Sequence, residues 1–202
     1  MQKNPPPEEL DALIAGRVGA LRQARGLSLA ALADRSGVSK AMISRVERGD
    51  SSPTAMILGR LAAGLGVSLT GLLAQEADPV QPLRKRAAQQ VWRDPQTGYR
   101  RRQVAPRDLR TGVELVEVEL PRGARVDYPP WAANAYSQRV WLVEGALQVS
   151  HGEAVFKLEP GDCLDFGVDC AVSFRATGGR ACRYLLVIQA SRSGGSLADP
   201  PP

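Results

Sequence analysis

The chain has 202 residues, 26 Lys and Arg against 21 Asp and Glu, a formal net charge of +5 and one histidine. That length fits one large or two small domains. No run of about eighteen apolar residues occurs, which excludes a helical membrane span, and the opening MQKNPPPEEL lacks the apolar stretch of a signal peptide.

Residues 1–9, rich in proline, read as a disordered lead. Residues 10–25 predict an amphipathic helix with Leu10, Leu13, Ile14, Val18 and Leu21 inward. Next comes SLAALADRSGVSKAMISRVERG, from Ser28 to Gly49. Ser28 caps a short alanine-rich helix, and Gly37 supplies the left-handed residue that ends it. Val38 plugs the corner, and Ser39 caps a second helix with Ile43 and Val46 on its apolar face. Lys40, Ala41, Ser44, Arg45 and Arg48 fall on the other face. Two helices joined by so tight a turn form a helix-turn-helix. Lys40 and Arg45 suit guanine O6 and N7, Ala41 a thymine methyl, and Ser44 a base edge or phosphate. The helix N-terminus at Ser39 suits a phosphate oxygen.

Residues 10–73 resemble the Xre-type helix-turn-helix domain shared with phage lambda-like repressors. The matching pieces are LRQARGLSLAALA, SGVSKAMISRVERG, SSPT and LAAGLGVSLTGLL. The resemblance implies base reading by Lys40, Ala41, Ser44 and Arg45, with Ser39 capping the reading helix and touching a phosphate. Leu29 stands where many relatives carry a DNA-contacting Gln. The family's pairing of a late first-helix Arg with the Glu of its ExG motif falls on Arg22 and Glu47, read as a structural ion pair. A fourth helix starts after Pro53 and Thr54 and ends at Gly64 and Gly66. Ser68 caps a fifth that ends near Leu73. The first domain is taken as 10–75.

A linker follows at 76–87, with a basic run at Leu83–Arg86 read as solvated. Positive charge concentrates in residues 1–112, while the remainder carries a net acidic balance unsuited to phosphates. Cys163, Cys170 and Cys182 make an odd count with no CxxC, which argues against a disulfide framework or zinc site and for a reducing cytoplasm. His151 reads as an exposed turn histidine before Gly152.

From residue 88 to 190 short alternating segments are separated by turn residues: QQVWR, YRRRQV, GVELVEVEL, RVWLVEGALQVS, AVFKL, CLDFG, AVSFRA and CRYLLVI. Period-two alternation predicts an all-β barrel or sandwich. In GVELVEVEL, Glu114, Glu117 and Glu119 alternate with Val and Leu, giving one wet and one buried face. PRGAR, the Glu144-Gly145 turn and LEPGDCLDF occur in an order that resembles the cupin fold, a double-stranded β-barrel. Cupin enzymes carry HxH, a Glu and a later His as metal ligands. Those positions fall near Trp131–Asn134, on Gln138 and on Val172, so the resemblance implies neither a metal nor another cofactor, and no catalytic residue. What remains is a pocket of Trp131, Asn134, Tyr136, Gln138 and Val172, suited to a small organic molecule. Arg139 and Asp165 alternate outward. Residues 191–202 read as a disordered tail.

The fold expected is therefore α + β in separate domains, five helices and then a cupin barrel. An Xre-type reader joined to a cupin barrel resembles a group of bacterial, cytoplasmic transcriptional regulators. That resemblance implies a homodimer on a pseudo-palindromic operator in double-stranded DNA, an organic effector in the barrel, and no enzyme activity. A metal-dependent cupin enzyme tethered to DNA, or a constitutive binding module, is the alternative.

Overall fold

The computed structural model describes residues 7–73, 82–108, 110–130 and 136–190. Trp131, Asn134 and the 191–202 tail lie outside them. Five helices come first: α1 (Pro7–Ala24), α2 (Leu29–Ser36), α3 (Lys40–Glu47), α4 (Ala55–Leu65) and α5 (Leu69–Leu73). α1 starts ahead of the expected Leu10 and takes in part of the supposed lead. A proline in a first turn forfeits no helical hydrogen bond, so Pro7 is compatible with it. Leu10, Ile14 and Val18 are buried, but Leu13 is 43% exposed. It falls about a quarter-turn off their stripe at 3.6 residues per turn. Gly64 does not end α4 but lies within it. A Cβ there would come 2.8 Å from Cβ of Ser36, so its small size is what lets α2 approach.

Ten strands follow: β1 (Val91–Arg93), β2 (Arg100–Ala105), β3 (Val113–Leu120), β4 (Arg125–Tyr128), β5 (Tyr136–Glu144), β6 (Leu147–His151), β7 (Ala154–Leu158), β8 (Cys163–Phe166), β9 (Val172–Ala176) and β10 (Cys182–Ala190). They form two antiparallel sheets, ordered β1-β2-β3-β10-β5-β8 and β4-β9-β6-β7. The expected barrel is thus a cupin-type sandwich of two facing sheets. No ladder joins them among the described residues, so the ring of hydrogen bonds is not closed. β4 carries too few residues to show its alternation in the sequence, and the strand reading passed over it.

Glu114 corrects the expected pattern on β3. It sits two and four residues before Val116 and Val118, so it shares their inward face and is 3% exposed. Glu117 and Glu119 face the other way, where Glu117 meets Arg102 at 3.1 Å and Glu119 meets Arg100 at 3.0 Å. The two sequence-defined domains share one apolar cluster running from Leu10 to Ile188.

Three polar contacts tie helices to sheet. The carboxylate of Asp94, in the β1–β2 turn, accepts the first N–H of α4 at Ala55, 2.8 Å away. This satisfies a helix-terminal donor that has no partner in its own helix. Arg101 on β2 donates to Thr70 Oγ1 at 3.0 Å, and Ser68 Oγ donates to Glu114 Oε1 at 3.2 Å.

Candidate nucleic-acid interface and interdomain cavity

The helix-turn-helix is assembled by its caps. Ser28 Oγ accepts from the Ala31 N–H at 3.1 Å, and Ser39 Oγ accepts from the Met42 N–H at 3.2 Å. Gly37 adopts φ 64°, a left-handed conformation that a side chain would oppose, and its N–H donates to Ala33 O at 2.8 Å. Ser36 Oγ donates to Leu32 O and accepts from the Val38 N–H, fixing the turn from inside. Val38, Ile43 and Val46 are buried beneath α3.

That burial leaves one side of α3 facing outward. Ser39, Lys40, Ala41 and Arg45 are exposed, and Ser44 is half-buried. Ser44 Oγ accepts from Arg48 Nη1 at 2.6 Å, while Arg48 Nε donates to Asp50 at 2.7 Å. The Ser44 hydroxyl is therefore engaged within the protein, and Lys40 and Arg45 carry the cationic edge. Leu29 is half-buried and packs against the core.

Behind α3, Arg22 and Glu47 form a two-pronged ion pair, Nε to Oε1 at 2.6 Å and Nη2 to Oε2 at 2.8 Å. Both side chains are 15% exposed. Arg22 Nη1 also donates to Leu27 O at 2.9 Å, so one guanidinium joins α1, the α1–α2 turn and the end of α3.

The second feature is a cavity between the helices and the sheets. Gly59, Ala62 and Ala63 of α4 with Leu69 of α5 line one side, and residues of both sheets line the other. About 50 Å³ of it is free to the centres of water-sized spheres. A single water needs roughly 10–15 Å³ by that measure, so there is room for several water-sized groups. Tyr136, Gln138 and Val172 all reach this cavity. The Tyr136 and Gln138 side chains are hydrogen-bonded, and burial pushes the Tyr136 hydroxyl above its ordinary range. Arg139 and Asp165 point away from the cavity and pair with each other at 2.5 Å.

Phe174 beside Val172 lines the same space. The sequence reading missed the rest of the wall, where Tyr99, Arg101, Tyr128 and Tyr184 converge. Phe174 and Tyr184 stack with ring centres 5.7 Å apart, and Tyr128 meets Phe174 edge-on at 6.1 Å. Tyr128 Oη donates to Tyr99 Oη at 3.2 Å, and Arg101 Nη1 donates to Tyr99 Oη at 2.8 Å. Burial drives the Tyr128 and Tyr184 hydroxyls well above their ordinary range, so both stay neutral. The signal in the sequence was parity: on β2, Arg101 alternates with Arg100 and Arg102, which face the other way and meet Glu119 and Glu117.

His151 also departs from expectation. It is the last residue of β6, and its side chain is 21% exposed rather than free in a turn. Its ring lies 5.8 Å from that of Phe166, and Nε2 is 3.5 Å from Asp169 Oδ1. With Cys170 at the cavity edge, His151 and Asp169 bring a nitrogen, an oxygen and a sulfur within 4.8 Å of one another. Cys163, Cys170 and Cys182 are all free thiols, and burial pushes Cys182 up to about 11. No described helix is long and apolar enough to cross a membrane.

A capped, outward-facing α3 on a small helical domain, backed by a cupin-like sandwich, is the build of a transcriptional regulator of helix-turn-helix type. The family model described as Helix-turn-helix matches residues 18–72. The chain is similar to the HTH-type transcriptional regulator SutR of Escherichia coli (strain K12). The two are 27% identical over 188 residues, spanning 92% of this chain and 99% of that one. A solved HTH_3 family transcriptional regulator from Vibrio cholerae is 26% identical, with a TM-score of 0.77 over 93% of this chain and 100% of that one. A cupin domain of an XRE family regulator from Enterobacter cloacae, 18% identical, overlays 46% of this chain and 98% of its own with a TM-score of 0.44.

Proposed function

We propose that this chain is a cytoplasmic, sequence-specific regulator that binds double-stranded operator DNA as a homodimer, and that a small organic ligand in the interdomain cavity sets its affinity. The observation that carries the reading is that one cavity is walled by both domains. A ligand there touches α4 of the DNA-binding head and the sheets of the cupin domain at once. Lys40 and Arg45 read bases from the exposed face of α3, with Ala41 against a thymine methyl. Ser39 and the helix N-terminus it caps hold a phosphate. Ser44 joins them once Arg48 turns from it to the DNA backbone. Arg22 and Glu47 keep α3 at its angle and touch no DNA.

Dimerisation follows from the short reading helix, because two heads on half-sites about one helical turn apart multiply a modest single affinity. Exposed Trp141 on β5, with Val155 and Phe156 on edge strand β7, offers apolar surface for a second copy. The chain is not read as an enzyme. The His151–Asp169–Cys170 cluster is the observation favouring the metal-dependent alternative, and stoichiometric metal in the purified protein would revive it.

The test begins by selecting the preferred operator from random duplexes and titrating it by fluorescence anisotropy. Arg45→Ala should weaken specific binding by about 1–3 kcal/mol and relax one base position. If Arg45→Ala binds the selected operator as tightly as wild type, α3 is not the reader.

A further inference from the structure

We propose that the cavity takes a small organic anion, a carboxylate on a compact aromatic or aliphatic body, with Arg101 as its counter-charge. The proposal rests on the sensor reading above and names the class of ligand. Arg101 is 5% exposed, the one arginine among the described residues that is fully buried. Arginines elsewhere pair with carboxylates: Arg22 with Glu47, Arg102 with Glu117, Arg139 with Asp165. Arg101 instead donates to two hydroxyls, Tyr99 Oη at 2.8 Å and Thr70 Oγ1 at 3.0 Å, and makes no ion pair among the described residues.

Glu114 is the buried carboxylate nearest in the network. It bonds Ser68 and Thr70 rather than the guanidinium; burial shifts it toward the neutral form, and the Arg101 charge opposes that shift through space without a direct contact. A guanidinium cannot shed its charge, so burying it with no carboxylate in direct contact is costly. A ligand carboxylate removes that cost and matches the planar fork with two parallel hydrogen bonds. Around it, Phe174 and Tyr184 offer ring faces, and Leu186 and Ile188 an aliphatic floor, which suit the body of such an acid. Gln138 supplies a neutral amide for a second polar group. One arginine among neutral groups suits a monoanion better than a phosphate dianion, which would leave a buried charge unmet.

The experiment uses the full chain and a series of probes: propionate, benzoate and phenylacetate, each beside its neutral amide. Melting temperature, calorimetric binding and affinity for the selected operator are measured for wild type, Arg101→Met and Arg101→Lys. At least one acid should bind saturably and raise the wild-type melting temperature, while its amide does not. Arg101→Met should lose tenfold or more in acid affinity, and Arg101→Lys, which keeps the charge but not the fork, should fall between. Unliganded Arg101→Met should melt at or above wild type, since an apolar replacement of a buried unpaired charge is tolerated. Amides binding as well as acids would overturn the anion assignment and leave the sensor reading standing. Acid binding that survives in Arg101→Met, with a lower unliganded melting temperature, would make Arg101 structural and overturn it too. Acids that bind through Arg101 yet leave operator affinity unchanged would support the site and sink the sensor reading. If no probe binds, the anion assignment falls and the sensor reading, which names no ligand class, stands.

Discussion

Replacing Asp94 with alanine should uncouple the two domains. Its carboxylate, on a residue 1% exposed, accepts from the Ala55 N–H at 2.8 Å, the Thr97 N–H at 2.8 Å and Thr97 Oγ1 at 2.5 Å. Hydrogen bonds to a charged group contribute about 1.5–3 kcal/mol each. Two of the three lie inside the β1–β2 turn, and Thr97 is near enough to the surface to find water. The Ala55 N–H is not, since Ala55 is 2% exposed. The expected cost is about 3–4 kcal/mol, most of it from the contact between domains. Thr97→Val, which keeps the Ala55 bond, should cost only about 1 kcal/mol. Urea unfolding is followed by far-UV circular dichroism for the helices and by tryptophan fluorescence, to which Trp92 on β1 contributes from the sheet side. The wild-type transitions should coincide, whereas in Asp94→Ala the helical signal should be lost at lower urea than the fluorescence. A loss below about 1 kcal/mol with coincident transitions would show that Asp94 does not couple the domains.

Three further outcomes follow from the same contacts. A double-mutant cycle on Arg22 and Glu47 should return a coupling of about 1–3 kcal/mol, between exposed and fully buried pairs, and a value near zero would remove the pair from the account of α3. Glu114 has a folded pKa raised above its ordinary 4.5 by burial. Its contribution to stability is full below that value and is lost as pH rises through the folded one. Glu114→Gln should flatten the stability profile above pH 4.5 and match or exceed wild type at pH 7 by urea titration. A markedly weaker Glu114→Gln would mean that Arg101 depends on the ionised carboxylate. At Gly59 a Cβ would meet Tyr128 Cδ1 at 2.6 Å. Gly59→Ala should therefore cost about 1–3 kcal/mol and blunt any ligand response in operator titrations, and an unchanged melting temperature would contradict so tight an α4–β4 contact.

What was legible in the sequence was what depends on neighbours in the chain. Caps at Ser28 and Ser39, the left-handed Gly37 and the apolar spacing of Val38, Ile43 and Val46 are local devices, so α2, the turn and α3 could be drawn from them. The alternation on β5 likewise put Tyr136 and Gln138 on the face that lines the cavity. The rest of that wall was hidden because it depends on which strands pair. Tyr99, Arg101, Tyr128 and Tyr184 come from β2, β4, β10 and the turn before β2, and nothing in their spacing brings them together. Glu114 was misplaced by counting glutamates rather than parity. Gly64 reads as a helix stop in the sequence because a glycine near a helix end is ambiguous until its neighbour across the interface is known.

The same contacts indicate how a cavity could act on a reading helix some distance away. α4 is the shared element. Its Gly59, Ala62 and Ala63 line the cavity, its first N–H is held by Asp94, and its Gly64 lies against Ser36 and Leu32 of α2. Ser36 in turn bonds the Val38 N–H at 3.2 Å, in the turn that leads into α3. A shift of α4 away from the cavity therefore presses on α2 or strains the Asp94 bond. On the proposed function, a ligand that fills the cavity changes operator affinity only to the extent that it binds one α4 position better than another. That is why Gly59→Ala, which presses on α4 from its side, and Asp94→Ala, which frees its end, should both alter the ligand response without touching the exposed side chains of α3.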